Sequence, residues 1–315
     1  MNALTQILAI EYPIIQGGMG NISNAILTGA VSEAGGLGTI GAGTMTPDEV
    51  EEIIKETINR TTKPFALNIA LSVSPYVKEV LSLVRKYQIP IVSLSAGNPA
   101  PYIPMFHEQG TKVITVCASV HQAKKAEAAG ADVIVAEGYE AAGINSSLET
   151  TTLVLIPQIV EAVKIPVVAA GGIGDGKGLA AILTLGASGV QMGTRFIVTK
   201  EAPFHQHYKQ KIVEASDHAT LIVGRSVGRI RRVLDSEYAQ KLLNYESKGI
   251  SLDEFNELTS EKFHRLGAID GREEAGFMNS GQIAGLISDI PTVKELLEKI
   301  IDDAKKQLQQ ARVKI

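Results

Sequence analysis

The sequence predicts an α/β protein, a (β/α)8 TIM barrel with a smaller, mostly helical C-terminal lobe. Short apolar runs alternate with helical segments through the first two hundred residues, and most of the runs stop at glycines or small polar residues. Eight strand–helix repeats in that length suit a closed parallel barrel. The predicted strands lie at residues 12–16, 37–40, 65–71, 91–95, 113–117 and 132–136, and in the runs that begin at Val167 and Gly189.

The predicted helices follow from apolar periodicity and from their first residues. Thr46 can cap a helix that starts at Pro47, a residue favoured in the first turn. Other helices are expected at residues 24–34, 74–87, 101–109, 120–129, 152–163 and 178–187. The alternative architecture is an open doubly wound sheet. The first glycine cluster, Gly17 to Gly20, argues against it, because it does not form a GxGxxG motif that opens a helix.

Two neighbouring strands end at glycines, at Gly171-Gly172 and at Gly193. Backbone N–H groups at such strand ends point outward, and in barrels a phosphate site recurs at the loops after the last two strands. We therefore expect a phosphate there.

Composition excludes several classes of protein. The chain has 315 residues, 45% of them hydrophobic, and a formal net charge of −4. A net negative charge does not indicate nucleic-acid binding, which typically requires a basic surface. The single cysteine, Cys117, lies in an apolar run, and we interpret it as a buried thiol. No leader-like or membrane-length apolar stretch is present. We expect a cytoplasmic protein without metal, nucleic-acid or membrane partners.

The strand–helix rhythm ends after residue 200. We predict a barrel over residues 1–200, completed by about residues 276–315, and a smaller, mostly helical lobe over residues 201–275 that covers the barrel mouth. Within the lobe, helices are expected at 203–215 and 251–265. Four arginines cluster in this lobe: Arg225, Arg229, Arg231 and Arg232. They form either a solvated helix face or a binding site for a phosphorylated partner.

An ordered set of motifs resembles the FMN-dependent nitronate monooxygenases and the flavin-type enoyl-acyl-carrier-protein reductases. The order and spacing agree from residue 8 to about residue 200, and GQIAG at 281–285 is similar to the C-terminal segment of the reductases. The motifs are PIIQGGM at 13–19, AGGLG at 34–38, FALN at 65–68, AEG at 136–138, VAAGGI at 168–173 and QMGTRF at 191–196.

The resemblance implies a set of cofactor-binding residues. Gly171, Gly172, Gly193 and Thr194 correspond to the FMN phosphate site, with Ala170 before them. Gly18 and Met19 correspond to backbone contacts to the isoalloxazine ring. Three side chains are implied as partners of the flavin: Asn68, Glu137 and Gln191. The ordinary alternative for Asn68 is an amide that is hydrogen-bonded within the core. The ordinary alternative for Glu137 is a solvated charge in a loop.

One position departs from the family. The strand-six loop usually continues with two glycines and a histidine that faces the flavin, and here Ile144 takes the histidine's place. General acid–base help is commonly worth ~10²–10⁴-fold in rate, and isoleucine cannot provide it. Candidate substitutes are Tyr139 as a proton donor, or Asn145, Ser146 and Ser147 as hydrogen-bonding groups. Among the six histidines, His205 and His207 are the spatially plausible ones, with a surface or structural role as the ordinary alternative for all six.

The resemblance therefore implies an FMN-dependent oxidoreductase. Our leading expectation is reduction of an enoyl thioester with NAD(P)H as the reductant. The alternatives are oxidation of alkyl nitronates by O₂, as in 2-nitropropane dioxygenases, and a flavin-binding protein with altered catalysis. A sugar-phosphate-binding barrel without flavin is a further rival. The expected partners are a small-molecule or acyl-thioester substrate and a second copy of the chain.

Overall fold

The computed structural model of the protein describes residues 2–314, and its centre is a closed barrel of parallel strands. Within these residues the structure has eleven strands: β1 Ile14–Gln16, β2 Gly38–Gly41, β3 Phe65–Ala70, β4 Ile91–Ser95, β5 Lys112–Cys117, β6 Val133–Glu137, β7 Gly143–Ile144, β8 Val167–Ala170, β9 Gly189–Met192, β10 Thr220–Val223 and β11 Arg231–Leu234.

Eight of these strands form one sheet in the order β1-β9-β8-β6-β5-β4-β3-β2. A parallel bridge between Ile15 and Leu37 joins the two end strands, so the sheet closes on itself. All eight predicted strands are present with ends shifted by at most two residues, and the prediction of a (β/α)8 barrel is confirmed.

The helices form the outer layer and the segment after the barrel strands. They are α1 Ala3–Leu8, α2 Ala25–Glu33, α3 Pro47–Arg60, α4 Val77–Lys86, α5 Ile103–His107, α6 Val120–Ala128, α7 Thr152–Ala162, α8 Gly176–Thr184, α9 Thr194–Ile197, α10 Gln206–Val213, α11 Glu237–Ser247, α12 Leu252–Leu258, α13 Glu261–Ala268 and α14 Val293–Val313. Short 3-10 turns lie at Gly20–Ile22 and Gln282–Leu286.

The barrel interior is apolar at one end only. Alternate residues of each strand face inward, among them Ile15, Ala66 and Val133, and they pack against Leu4 and Leu8 of α1. Helix α1, which the sequence reading did not identify, therefore closes the N-terminal end of the barrel. The opposite end is open, and the inward positions nearer the C-terminal ends are mostly polar or small, among them Asn68, Ser95, Glu137, Ala170 and Gln191.

The segment between the barrel strands and α14 departs from the prediction in two places. Residues 251–265 form two helices rather than one, because Thr259 and Ser260 leave the helical conformation and Ser260 becomes the N-cap of α13. The basic segment at 224–233 is not a helix face: β10 and β11 form an antiparallel hairpin there, and β7 from the strand-six loop pairs with β11 as a third strand.

Helix α14 returns to the barrel wall and packs against α8 and α2. The apolar stretch before it crosses the barrel mouth, where the Gly281 N–H donates to Thr194 Oγ1 over 2.9 Å. No helix within residues 2–314 is both long enough and apolar enough to cross a membrane.

Candidate active site

A cavity of about 1100 Å³ opens at the C-terminal ends of the barrel strands. Its lining comes from the C-terminal ends of the barrel strands and the residues that follow them, from α6, from the strand-six loop, and from α13, β11 and the residue 279–283 segment. Ligand sites typically measure ~300–1000 Å³, so the space suffices for a cofactor together with part of a substrate. Over residues 2–314, no group of three His, Cys, Asp or Glu side chains is placed to hold a metal ion.

Backbone amides form one end of the cavity. Gly171 and Gly172 adopt φ values of +98° and +72°, which side chains other than glycine rarely tolerate. The N–H groups of Gly171, Gly172, Gly193 and Thr194 donate to no acceptor among residues 2–314. A Cβ added to Gly193 would meet no atom within 4 Å, so that glycine opens directly into the cavity. Unpaired amides around an open space are suited to a phosphate.

This arrangement fits FMN. The amides of Gly171, Gly172, Gly193 and Thr194 would hold its phosphate, while Ala170 lines the adjoining wall. The Thr194 hydroxyl accepts a hydrogen bond from the Gly281 N–H. This bond holds the residues after β9 against the segment that precedes α14.

The walls further inside carry the polar residues expected beside a flavin ring. Asn68 Nδ2 lies 3.2 Å from Ser93 O, Ser93 Oγ and Ser95 Oγ, whereas its Oδ1 has no partner in the described chain and remains an acceptor at the cavity. Gln191 lines the cavity with its side chain against Gly17. Both expected side chains are therefore at the cavity, with the Asn68 amide held in place.

Gly18 and Met19 also line the cavity but differ in their backbone. A Cβ at Gly18 would lie 2.8 Å from Asn68 Cβ, so only glycine lets these two strand ends approach. The Gly18 N–H is unpaired within residues 2–314, whereas the Met19 N–H already donates to Ser23 Oγ over 3.2 Å. Gly18, rather than Met19, therefore offers an amide to a ligand.

Glu137 is the inward-facing residue at the end of β6. It is half-buried, it lines the cavity, and its carboxyl group has no hydrogen-bond or ion-pair partner in the described chain. Burial raises the pKa of Glu137 to about 7, so near neutral pH a large share of the group is a protonated acid. In that form it can donate a hydrogen bond to a hydroxyl or a carbonyl oxygen of a ligand.

The strand-six loop contributes less than expected to proton transfer. Ile144 reaches the cavity rim and is 56% exposed. The Asn145 amide nitrogen is already hydrogen-bonded, because Nδ2 donates to Ala141 O and Gly143 O over 2.9 and 3.1 Å. Ser146 and Ser147 lie at the rim. Tyr139 does not line this cavity; its hydroxyl accepts from Arg225, and its ring lies under Arg225 and Arg232.

The histidines are placed differently from the sequence-based expectation. His205 and His207 do not line the cavity, and His207 pairs with Glu273. The inner histidine is His264 of α13, which is 3% exposed and whose ring stacks on Phe277 with centroids 5.1 Å apart. Its Nδ1 lies 3.3 Å from Glu261 Oε2 and its Nε2 lies 3.3 Å from Asn279 Nδ2.

Arg231 is the second residue that was not expected at the cavity, and the sequence indicated it only as one of four arginines in a cluster. It is the first residue of β11, its guanidinium lies 4.8 Å from the Phe277 ring centroid, and it lines the cavity beside His264. No local motif indicates either residue, because both reach the cavity through the pairing of β11 with β7 and through the docking of α13. The only sequence signal was the arginine cluster of the hairpin.

Comparison with known proteins agrees with this geometry. The family model for nitronate monooxygenase matches residues 1–79 and 70–303. A (3aS,4S,5R,7aS)-5-hydroxy-7a-methyl-1-oxo-octahydro-1H-indene-4-carboxyl-CoA dehydrogenase from Mycobacterium tuberculosis is 33% identical over 98% of this chain and 97% of its own. A probable nitronate monooxygenase from Staphylococcus haemolyticus is also 33% identical, over 96% and 97% of the two chains.

Solved structures give the same result. FabK from Thermotoga maritima is 42% identical, covers 100% of this chain and 99% of its own, and superimposes with a TM-score of 0.95. A nitroalkane oxidase from Streptomyces ansochromogenes is 27% identical, covers 98% and 99% of the two chains, and has a TM-score of 0.86. From these matches and from the cavity, we conclude that the chain belongs to the nitronate monooxygenase family and is a flavin-dependent oxidoreductase.

Proposed function

We propose that the protein binds FMN and reduces the carbon–carbon double bond of an enoyl thioester, with NAD(P)H as the reductant. The observation that carries this proposal is the open rim of unpaired amides at Gly171, Gly172, Gly193 and Thr194, at one end of a cavity large enough for cofactor and substrate. When bound, FMN supplies the two-electron chemistry, and the protein binds it, orients it and shapes the substrate space.

The substrate class is supported by two kinds of relative. FabK, an enoyl-acyl-carrier-protein reductase, shares 42% of its residues with this chain over its full length. The Mycobacterium tuberculosis relative is named for a substrate that is a coenzyme A thioester. Both therefore favour an acyl group carried on sulfur, whether on a carrier protein or on coenzyme A.

The chain's own residues have separable roles in this proposal. The amides at the rim bind the phosphate, Asn68 and Gln191 present polar groups to the flavin, and Glu137 donates to a ribityl hydroxyl or a ring oxygen. Ile144 gives the strand-six loop an apolar rim for the acyl chain. With no histidine at 144, the proton that completes reduction comes from water or from another cavity residue.

Oxidation of alkyl nitronates by O₂ is the second candidate, and one observation favours it. Ile144 cannot remove a carbon-bound proton, but an ionised nitronate has already lost that proton. Relatives named probable nitronate monooxygenases, at 33% identity, are consistent with this reaction. Neutral nitroalkanes should be poor substrates in either case.

The test compares the two reactions in the FMN-loaded protein. We expect consumption of NADH or NADPH under anaerobic conditions when a crotonyl thioester is added, with butyryl thioester as the product. O₂ uptake with ethyl nitronate, without nicotinamide oxidation or thioester reduction, would assign the second function instead. If no acceptor reoxidises the reduced flavin faster than it reoxidises free FMN, the protein is a flavin-binding protein with altered catalysis.

A further inference from the structure

Arg231 is a cation that lines the cavity and forms no ion pair within residues 2–314. Its guanidinium makes one hydrogen bond, from Nη1 to Asn279 Oδ1 over 3.4 Å, and it has no ion pair within 4.0 Å among residues 2–314. Burial lowers the pKa of Arg231 while the charge of Glu261 opposes that effect, and an arginine remains charged under such a shift. A guanidinium carries five N–H donors, so four of them have no hydrogen-bond partner among residues 2–314.

Removing a charge from water without a partner is costly, and proteins retain such groups where a ligand completes them. The Phe277 ring under the guanidinium compensates only part of this cost. Arg231 and Ile144 are register partners and both line the cavity, so their side chains share one face of the three-stranded sheet. An oxygen-bearing anion is the chemical partner that the unpaired N–H donors of Arg231 lack.

The residues behind Arg231 hold it in one arrangement. A hydrogen-bonded chain runs from Arg231 Nη1 to Asn279 Oδ1, from Asn279 Nδ2 to His264 Nε2, and from His264 Nδ1 to Glu261 Oε2. A guanidinium can only donate and an ionised carboxylate can only accept. The two ends therefore fix the direction of every bond, and we assign His264 as the tautomer with its proton on Nδ1.

Resting on the function proposed above, we propose that Arg231 is the oxyanion-binding residue of this active site, with Asn279, His264 and Glu261 as its positioning residues. Its ligand is an oxygen of a planar, delocalised anion, either the enolate that forms from a thioester or a nitronate. In this way Arg231 stabilises negative charge on the substrate beside a loop that has isoleucine at the family's histidine position.

The atoms and electrons of the enoyl reduction balance when Arg231 binds the oxyanion. NAD(P)H supplies a hydride overall and becomes NAD(P)⁺, and the β carbon of the enoyl thioester receives that hydride. The electrons of the π bond move to the thioester oxygen, where the guanidinium of Arg231 binds the enolate. A proton from water then adds to the α carbon, which gives the saturated thioester and hydroxide. A nitronate already carries its negative charge and needs no such step to bind.

The experiment measures binding rather than turnover. The FMN-loaded protein is titrated anaerobically with acetoacetyl-N-acetylcysteamine, a thioester that forms an enolate and is not an enoyl substrate for reduction, and the change in flavin absorbance gives the dissociation constant. Arg231→Gln should weaken binding by about tenfold or more, since a charge-assisted hydrogen bond is lost. Arg229→Gln removes the same charge from an exposed position of the same hairpin and should change it less than about twofold.

A second variant keeps the test decisive if Arg231→Gln does not retain FMN or a folded circular-dichroism spectrum. Arg231→Lys keeps the positive charge but loses the planar fork, and it should weaken binding by about fivefold. Wild-type affinity for both this thioester and ethyl nitronate in the folded Arg231→Gln protein, or in Arg231→Lys if the first does not fold, would overturn the proposal.

A parallel titration with ethyl nitronate distinguishes the two candidate ligands, the thioester enolate and the nitronate. Weaker binding of one or both anions in the Arg231 variants supports the oxyanion site and identifies which anion it accepts. Unchanged binding of both overturns it. The result is independent of the proposed function: a wild type that binds acetoacetyl-N-acetylcysteamine through Arg231 but never reduces a crotonyl thioester would disprove the reductase and leave the oxyanion site standing.

Discussion

Ile144 lies directly opposite Arg231 in the antiparallel pairing of β7 with β11. The position where this family usually carries a flavin-facing histidine is therefore next to a half-buried arginine, which is linked to His264 through the side chain of Asn279. The proton-transfer group has been replaced by an apolar side chain, while a cation faces the same space. This relationship separates the chemistry expected here from that of members that retain the histidine.

Placing a histidine at position 144 tests whether this residue accounts for the difference in chemistry. Ile144→His should oxidise neutral nitroethane at least ~10²-fold faster than the wild type, because general base catalysis is commonly worth ~10²–10⁴-fold. The exposure of Ile144, 56%, makes the exchange easy for the fold. Oxygen uptake with nitroethane is the measurement, and Ile144→Gln is the polar control without a base. If the histidine brings no gain, the loop as a whole has another role.

Gly193 tests the phosphate end of the cavity. Its φ of −112° suits any residue and its Cβ would point into open space, so Gly193→Asp should fold but place a carboxylate at the proposed phosphate site. We expect FMN affinity to fall by roughly 10²-fold or more, from the lost space and from charge repulsion. Fluorescence titration of apoprotein with FMN measures it. Gly228→Asp, at an exposed turn outside the cavity, should bind FMN as the wild type does.

Glu137 should make the apoprotein less stable as the pH rises. Its pKa is raised from 4.5 to about 7, so the folded state binds the proton more tightly than the unfolded state. Its stabilising contribution is complete below pH 4.5 and is lost as the pH rises through 7, a change of up to ~3 kcal/mol.

Urea unfolding of apoprotein at acid and alkaline pH measures the effect of Glu137. Glu137→Gln should stabilise the protein relative to the wild type at alkaline pH and much less at acid pH. Glu108→Gln, at an exposed site, is the control. An equal effect of Glu137→Gln at both ends of the pH range would argue against a buried, unpaired carboxyl group.

Cys117 should be chemically inert in the folded protein. The residue is 3% exposed, and burial raises the pKa of its thiol to about 12, so almost no thiolate is present at neutral pH. Ellman's reagent should react with it at least ~10³-fold more slowly in the native protein than in urea. Rapid modification of the native protein would mean that the cavity exposes the thiol.

The barrel was readable from the sequence because its signal is local. Each strand is a short apolar run that ends at a glycine or polar residue, and each helix has its own periodicity and cap, as at Thr46. The glycines at 171, 172 and 193 also carry a local signal, since strand-end glycines indicate a close approach of backbone. These elements could be placed without knowing what packs against them.

The parts that were missed depend on contacts between distant segments. Helix α1 has six residues and is stabilised by its position in the barrel end rather than by its own pattern. Strand β7 has two residues and exists because β11 pairs with it. Arg231 and His264 come together only through this pairing and the docking of α13, so their residue types alone could not distinguish them from the other arginines and histidines.

The phosphate rim is tested most directly by comparing FMN with riboflavin, which lacks only the phosphate. Apoprotein is titrated with each, and the quenching of flavin fluorescence gives the two dissociation constants. Several amide hydrogen bonds to a charged phosphate should make FMN bind ~10²-fold or more tightly than riboflavin. Equal affinities, or no binding of either, would contradict a phosphate site at Gly171, Gly172, Gly193 and Thr194.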